Sequence, residues 1–174
     1  AFNTSTNDNF ASAVLLGNTA DILMENCTVV KNRGIGDDGN FYPVLCYAQS
    51  ASQSPTVRNT LIYENAGFGG NNELLNDVWD NSEIGSLADV QFYNCATDSI
   101  LPTGFPAGLG MITEGIALAH GFRPPASSSI VDKGAAMTSP VGLDLAGKPR
   151  VFGKAIDIGC YECQFGLGTV MVVR

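Results

Sequence analysis

Apolar residues along this chain come in short bursts: "AVLL", "DILM", "TVV", "PVLCY", "TLIY" and "DVQF". Each is strand-sized, and none has the length of an amphipathic helix. Between them stand "GNT", "NRGIGDDGN", "NAGFGGNN" and "DNS", residues that supply the left-handed and tight backbone conformations of corners. The bursts also recur in a frame. Residues 24–34 read "MENCTVVKNRG" and residues 57–67 read "VRNTLIYENAG", so Asn26 and Asn32 stand six apart, as do Asn59 and Asn65, with Gly34 or Gly67 closing each unit. A third copy follows, because "ADILMENC" at 20–27 aligns without gaps on "ADVQFYNC" at 88–95. Asn26, Asn59 and Asn94 thus share one structural position, with steps of 33 and 35 residues between them.

A period of this size marks stacked supersecondary units. Short strands stacked about 4.8 Å apart would satisfy their backbone groups by parallel pairing and point alternate side chains into a continuous core. The expectation is an all-β chain, a parallel β-helix (solenoid) with stacked coils over 11–100. Asn26, Asn59 and Asn94 are expected to form a ladder in which each side-chain amide bonds the copy above or below. The stretch 66–87, with Trp79, departs from the repeat and reads as a loop or short helix thrown out between coils. From residue 101 a different text begins, and the whole of 1–174 is read as one domain.

Charge narrows the partners. Nine basic residues against 17 acidic ones give a net charge of -8 with no basic cluster, which opposes a nucleic-acid backbone. Only 15% of residues are charged while Asn, Ser, Thr and Gly abound, a balance that suits a secreted or cell-surface β-rich protein. No apolar run approaches the roughly 20 residues of a membrane span, "AVLLG" at 13–17 being the longest candidate. The first residue is Ala1 and no basic n-region precedes an apolar stretch, so the chain reads as a processed or excised piece.

Five cysteines, Cys27, Cys46, Cys95, Cys160 and Cys163, cannot all pair within the chain. "CYEC" at 160–163 is half of a zinc site, but His120 is the only histidine and no second pair exists. The cysteines read as small apolar residues of the interior. Cys27 and Cys95 fall at one coil position with Thr60 between them; two rungs of about 4.8 Å exceed the roughly 7 Å reach of a disulfide, so both are expected as free thiols. Asp37, Asp38 and Asn40 in "GDDGN", and Asn76, Asp77, Asp80 and Glu83, offer oxygen ligands. Their spacing matches no calcium loop and they read as a solvated face, so no cofactor is expected and calcium is the one candidate.

The chain's last third carries a resemblance. Ser129, Ile130, Asp132 and Gly134, then Asp144, Leu145, Gly147, Pro149 and Arg150, then Asp157, Ile158, Gly159, Tyr161 and Glu162 follow in order the pattern S-x-A-I-D-x-G, D-L-D-G-x-P-R, D-I-G-A-Y-E. That pattern resembles the closing segment of secreted bacterial right-handed parallel β-helix proteins of the pectin-lyase-like type. Val131 is out of phase with the pattern, Ala146 stands for Asp and Cys160 for Ala. The resemblance implies a right-handed solenoid whose irregular C-terminal segment, 101–174, closes it. Arg150 is expected to pin these loops through one or two bidentate pairs with Asp132, Asp144, Asp157 or Glu162.

The resemblance makes polysaccharide chemistry worth weighing. A lyase needs a base and cations on its groove, and the coil faces offer only Lys31, Arg33 and Arg58, with Lys31 and Arg58 out of alignment. For hydrolysis, Asp21 and Asp89 fall two coils apart, about 9.6 Å, near the inverting range, but Ser54 occupies the intermediate coil. No catalytic residue is assigned. The expected function is a non-catalytic β-helix portion of a larger secreted or surface protein, for adhesion, carbohydrate contact or display. The alternatives are a polysaccharide lyase or hydrolase, and a subunit of an extracellular assembly. In either case the open edge of the first coil calls for the rest of a longer chain or a partner to cover it.

Overall fold

The computed structural model describes residues 4–5, 11–17, 22–34, 40–47, 55–67, 71–72, 76–77, 91–99, 101, 110–138 and 142–164. Among them the regular structure is strands: β1 (Thr4–Ser5), β2 (Ala11–Gly17), β3 (Leu23–Glu25), β4 (Thr28–Val30), β5 (Arg33–Gly34), β6 (Asn40–Tyr47), β7 (Thr56–Arg58), β8 (Leu61–Tyr63), β9 (Ala66–Gly67), β10 (Asn71–Asn72), β11 (Asn76–Asp77), β12 (Gln91–Tyr93) and β13 (Ala96–Thr97). A single 3-10 turn spans His120–Phe122, and no α-helix occurs among the described residues. The chain is all-β. Its strands pair in parallel, in sheets ordered β12-β7-β3, β13-β8-β4 and β1-β5-β9, with β2, β10 and β11 all bonded to β6.

The register follows the repeat. Met24 lies opposite Val57 and Val57 opposite Phe92; Thr28 lies opposite Leu61 and Leu61 opposite Ala96. Between the two strands of each rung the chain turns at Asn26, Asn59 or Asn94, all left-handed with φ of 55°, 48° and 49°. Asparagine tolerates this conformation better than other side chains except glycine. The corners stay in the parallel ladder, since Asn26 N–H donates to Arg58 O at 3.1 Å and Asn59 N–H to Tyr93 O at 3.0 Å. A second left-handed corner lies five residues on, at Lys31 (φ 56°) and Glu64 (φ 51°). There the two side chains form an ion pair at 3.2 Å across neighbouring rungs.

A fourth rung exists that the asparagine frame did not reveal. Ile112 bridges Ala96 in parallel, with Thr97 N–H donating to Ile112 O and Ile112 N–H to Cys95 O, both at 2.9 Å. Its two corners are Gly110 (φ 74°) and Gly115 (φ 69°), again five residues apart. "GMITEG" therefore repeats the geometry of "NCTVVK" and "NTLIYE", with glycine meeting the backbone demand that asparagine meets elsewhere.

Two apolar clusters result. One gathers Met24, Val57, Phe92, Val29, Ile62 and Cys95; the other gathers Val30, Leu61, Ala96, Ile130 and Ile158. The strands β4 and β8 contribute to both, because alternate residues of a strand face opposite sides of the sheet. One face packs with β3, β7 and β12. The other is covered by residues from beyond 112.

The stretch 66–87 is not wholly a loop. β9, β10 and β11 continue the sheets: Ala66 pairs with Arg33, Asn71 with Asn40 and Asn76 with Cys46. Trp79, Asp80 and Glu83 lie outside the described residues, as do Asp21, Asp37, Asp38, Ser54 and Asp89. Among the carboxamides and carboxylates considered for calcium, Asn40, Asn76 and Asp77 are thus strand residues. No group of three or more metal-binding side chains occurs among the described residues.

Candidate functional site

The asparagine corners make a docking line, though not the expected one. Asn59 is fully buried, and its amide exchanges both bonds with one residue: Nδ2 donates to Ala135 O at 2.9 Å and Oδ1 accepts from Ala135 N–H at 2.7 Å. Asn94 Nδ2 donates to Lys133 O at 2.9 Å. Asn26 Oδ1 accepts from Arg150 Nη2 at 3.2 Å. The anticipated amide-to-amide ladder is therefore corrected at Asn26, Asn59 and Asn94. The amides of Asn94 and Asn59 hold a strap, residues 133–138, that crosses the rungs in reverse order and ends where Glu25, beside Asn26, accepts from the Thr138 N–H and hydroxyl at 3.1 and 2.9 Å. A true asparagine ladder stands at the second frame position, where buried Asn32 donates through Nδ2 to Asn65 Oδ1 at 2.9 Å.

Residues 128–134 and 142–164 form a clasp on the outer sheet face, built from the three motif blocks. Ile130 and Ile158 bury against Leu61 and Val30. Gly159, at φ 106°, lies where an added Cβ would meet Thr28 Oγ1 at 2.8 Å. Gly159 N–H donates to Asn59 O at 2.8 Å and Cys160 N–H to Thr28 Oγ1 at 3.0 Å. The segment thus lies along the flank of the rungs.

Four carboxylates hold this irregular backbone together. Asp132 Oδ1 accepts from Lys154 N–H at 2.6 Å and Ala155 N–H at 3.0 Å. Asp144 Oδ1 accepts from Ala146 and Lys148 N–H at 2.9 and 2.8 Å, closing the turn, while Oδ2 accepts from Glu162 N–H at 3.0 Å. Asp157 accepts from the N–H groups of Asp132 and Cys163. Glu162 accepts from Phe152 and Asp157 N–H at 3.4 and 3.2 Å. Backbone N–H groups without a ladder must find acceptors when buried, and ionised carboxylates are strong ones.

Arg150 is the centre of the clasp, 3% exposed. Its Nη2 bonds Asn26 Oδ1, Asp157 O and Gly159 O. Its Nη1 stands 3.8 Å from Glu162 Oε2. The expected bidentate pairs with carboxylates are replaced by bonds to backbone carbonyls, because the carboxylates are already engaged by N–H groups. Burial is the first cause of the raised pKa of both Asp157 and Glu162, and Glu162 is pushed up to about 7.

Two clefts flank the clasp. One of about 380 Å³ is lined by Glu25, Asn26, Leu143, Asp144, Leu145, Arg150 and Cys160. The other, about 490 Å³, lies beside Asp132, Lys133, Phe152, Lys154, Asp157 and Cys163. The basic residues weighed for lyase chemistry have structural partners: Lys31 pairs with Glu64 and stacks over Phe122, and Arg58 donates to Ala136 O and lies over Tyr93. Arg33 is exposed on β5. Cys27, Cys95, Cys160 and Cys163 are free thiols.

Comparison of the chain with known protein families, curated proteins and solved structures finds no match.

Proposed function

We propose that this chain is a non-catalytic portion of a right-handed parallel β-helix within a larger secreted or cell-surface bacterial protein, serving adhesion, carbohydrate contact or display. The observation that carries the reading is the use made of the motif carboxylates. Asp132, Asp144, Asp157 and Glu162 each accept backbone N–H bonds from the clasp itself. A raised carboxyl pKa is a mark of functional sites in general. Glu162, however, is 4% exposed, so the burial that raises its pKa also keeps substrate from it. The parallel register, the recurring corners and the covered outer face support the solenoid architecture.

The open edge of the first rung supports a covering partner. β5 and β6 have β1 and β2 on that side, whereas β3 and β4 pair only with β7 and β8 among the described residues. An unpaired parallel edge is a template for a further strand, supplied by the rest of a longer chain or by an assembly partner. No cofactor enters this reading.

The test is incubation of the purified chain with pectin, alginate and chondroitin. Expected are background levels of unsaturated uronate and of new reducing ends, with retention of the chain on one or more immobilised glycans. Turnover abolished by Arg58→Ala or by Asp132→Asn at unchanged stability would favour the lyase or hydrolase reading.

A further inference from the structure

The three asparagine corners are alike in backbone and unlike in use. At Asn59 and Asn94 the side-chain Nδ2 donates to a backbone carbonyl of the strap, Ala135 O and Lys133 O, each at 2.9 Å. The strap ends at Glu25, which holds Thr138 by its N–H and hydroxyl, the residue before Asn26. Asn26 itself spends only its oxygen, which accepts from Arg150 Nη2 at 3.2 Å. A guanidinium has donors alone, so this bond fixes which end of the amide is oxygen. Nδ2 is left as a donor with no acceptor among the described residues.

That donor belongs to the smaller cleft. Asn26 lines its 380 Å³ together with Glu25, Asp144, Arg150, Leu143 and Leu145, a size at the lower end for ligand-binding clefts. The carboxylates are committed, Glu25 to Thr138 and Asp144 to the N–H groups of Ala146, Lys148 and Glu162. The apolar rim is not. Leu143 and Leu145 flank Asp144 in the hairpin closed by the Leu143–Pro149 bridge, and they are 56% and 70% exposed. Large apolar side chains left exposed together at a cleft are a mark of recognition surfaces. The arrangement calls for a carbonyl oxygen beside an aliphatic side chain, which is the repeating unit of an extended polypeptide.

We propose that this cleft binds an extended peptide segment of a partner protein. A backbone carbonyl of the segment accepts from Asn26 Nδ2, as the strap carbonyls accept from Asn59 and Asn94, and an aliphatic side chain packs against Leu143 and Leu145. The partner thus continues along the corners the line that the strap begins. Glu25 and Asp144 line the cleft while its cation, Arg150, is 3% exposed, so a neutral or basic segment is favoured over an acidic one. The cleft lies on the first rung, whose strands β3 and β4 have no outer neighbour among the described residues, at the end of the stack that a further chain would approach.

The experiment titrates the isotope-labelled full chain with acetyl-Ala-Leu-Ala-amide, acetyl-Lys-Leu-Ala-amide and acetyl-Glu-Leu-Ala-amide, and separately with N-acetylglucosamine, which carries the same carbonyl on a sugar. Expected are saturable shifts of the Asn26 side-chain NH2 and of the Leu143 and Leu145 methyls, with the Asn59 NH2 unmoved and the lysine peptide bound most tightly. Asn26→Asp keeps an oxygen for Arg150 and tolerates the left-handed corner. It should weaken binding about tenfold, because the donor to the carbonyl is lost. Leu145→Ser alters an exposed position outside the core and should weaken binding as well, so the test does not depend on the folding of the Asn26 variant. Absence of saturable shifts, preference for the glutamate peptide, saturation by N-acetylglucosamine but not by the peptides, or unchanged binding in Leu145→Ser would each overturn the proposal.

Discussion

The rungs and the clasp solve the same problem, unpaired backbone beside an apolar face, by opposite means. In the rungs, 22–34, 55–67 and 91–99, backbone bonds backbone: Thr56 N–H to Ile22 O at 2.8 Å, Gln91 N–H to Pro55 O at 3.1 Å. The apolar column Met24, Val57 and Phe92 runs beneath. Each rung needs only its neighbours. In the clasp, 128–134 and 142–164, side-chain carboxylates replace the missing ladder. Their partners lie at chosen places in the loops, so each position is specific. The difference teaches where the molecule tolerates change: a rung depends on residue class, and the clasp on residue identity.

The largest effect should come from the column itself. Phe92 is 1% exposed, and Phe92→Ala should cost about 3–5 kcal/mol through lost transfer energy and the cavity left behind. Urea unfolding measures it, and hydrogen exchange should show protection lost in β7 and β12 together. Preserved protection in β7 would mean that the rungs do not share one core.

Arg150→Met attacks the clasp instead. It leaves the carbonyls of Asp157 and Gly159 without their buried donor and the carboxylate of Glu162 without its neighbouring cation, a class of loss worth about 3 kcal/mol. Hydrogen exchange should rise at 157–163 before it rises at 57–62. Simultaneous loss at both would make clasp and rungs one cooperative unit.

A third test uses pH. Glu162 in the folded chain titrates near 7, well above its ordinary value of 4.5, and Asp157 is shifted the same way. A carboxyl whose folded pKa is raised holds its proton while the unfolded chain releases it, so stability falls as pH rises from about 4.5 to 7 and is level above. Glu162→Gln should flatten that decline, as read from urea midpoints at pH 5 and pH 8. A midpoint that instead climbs over this range would mean that the Arg150–Glu162 attraction outweighs burial.

What could be read from sequence follows the same division. The rungs were legible because the backbone requirement at Asn26, Asn59 and Asn94 recurs at a nearly constant period. The fourth rung was not, because Gly110 and Gly115 meet that requirement with another residue, and only their spacing of five, matching Asn26 to Lys31 and Asn59 to Glu64, carries the signal. Lys31 and Glu64 themselves gave no hint, being ordinary strand-end residues forced into left-handed corners. In the clasp the motif residues were identifiable, but their partners were not. Arg150 reaches Asn26 across 124 residues, and no local spacing states that the asparagine amides would hold a strap rather than one another.

The finest test separates the two duties of those asparagines, turning the corner and holding the strap. Glycine fulfils the first without strain and the second not at all. At Asn59 both bonds to Ala135 lie in a fully buried site, so Asn59→Gly should cost about 2 kcal/mol, the penalty of leaving buried partners unmet. At Asn94 a single bond to Lys133 O is made in an exposed setting, where water can take the amide's place, and the rung beyond already turns on Gly110. Asn94→Gly should therefore change the urea midpoint little, by less than about 0.5 kcal/mol equivalent. Equal costs at the two corners would show that the asparagines serve the turn alone, and that the strap is held by its other contacts.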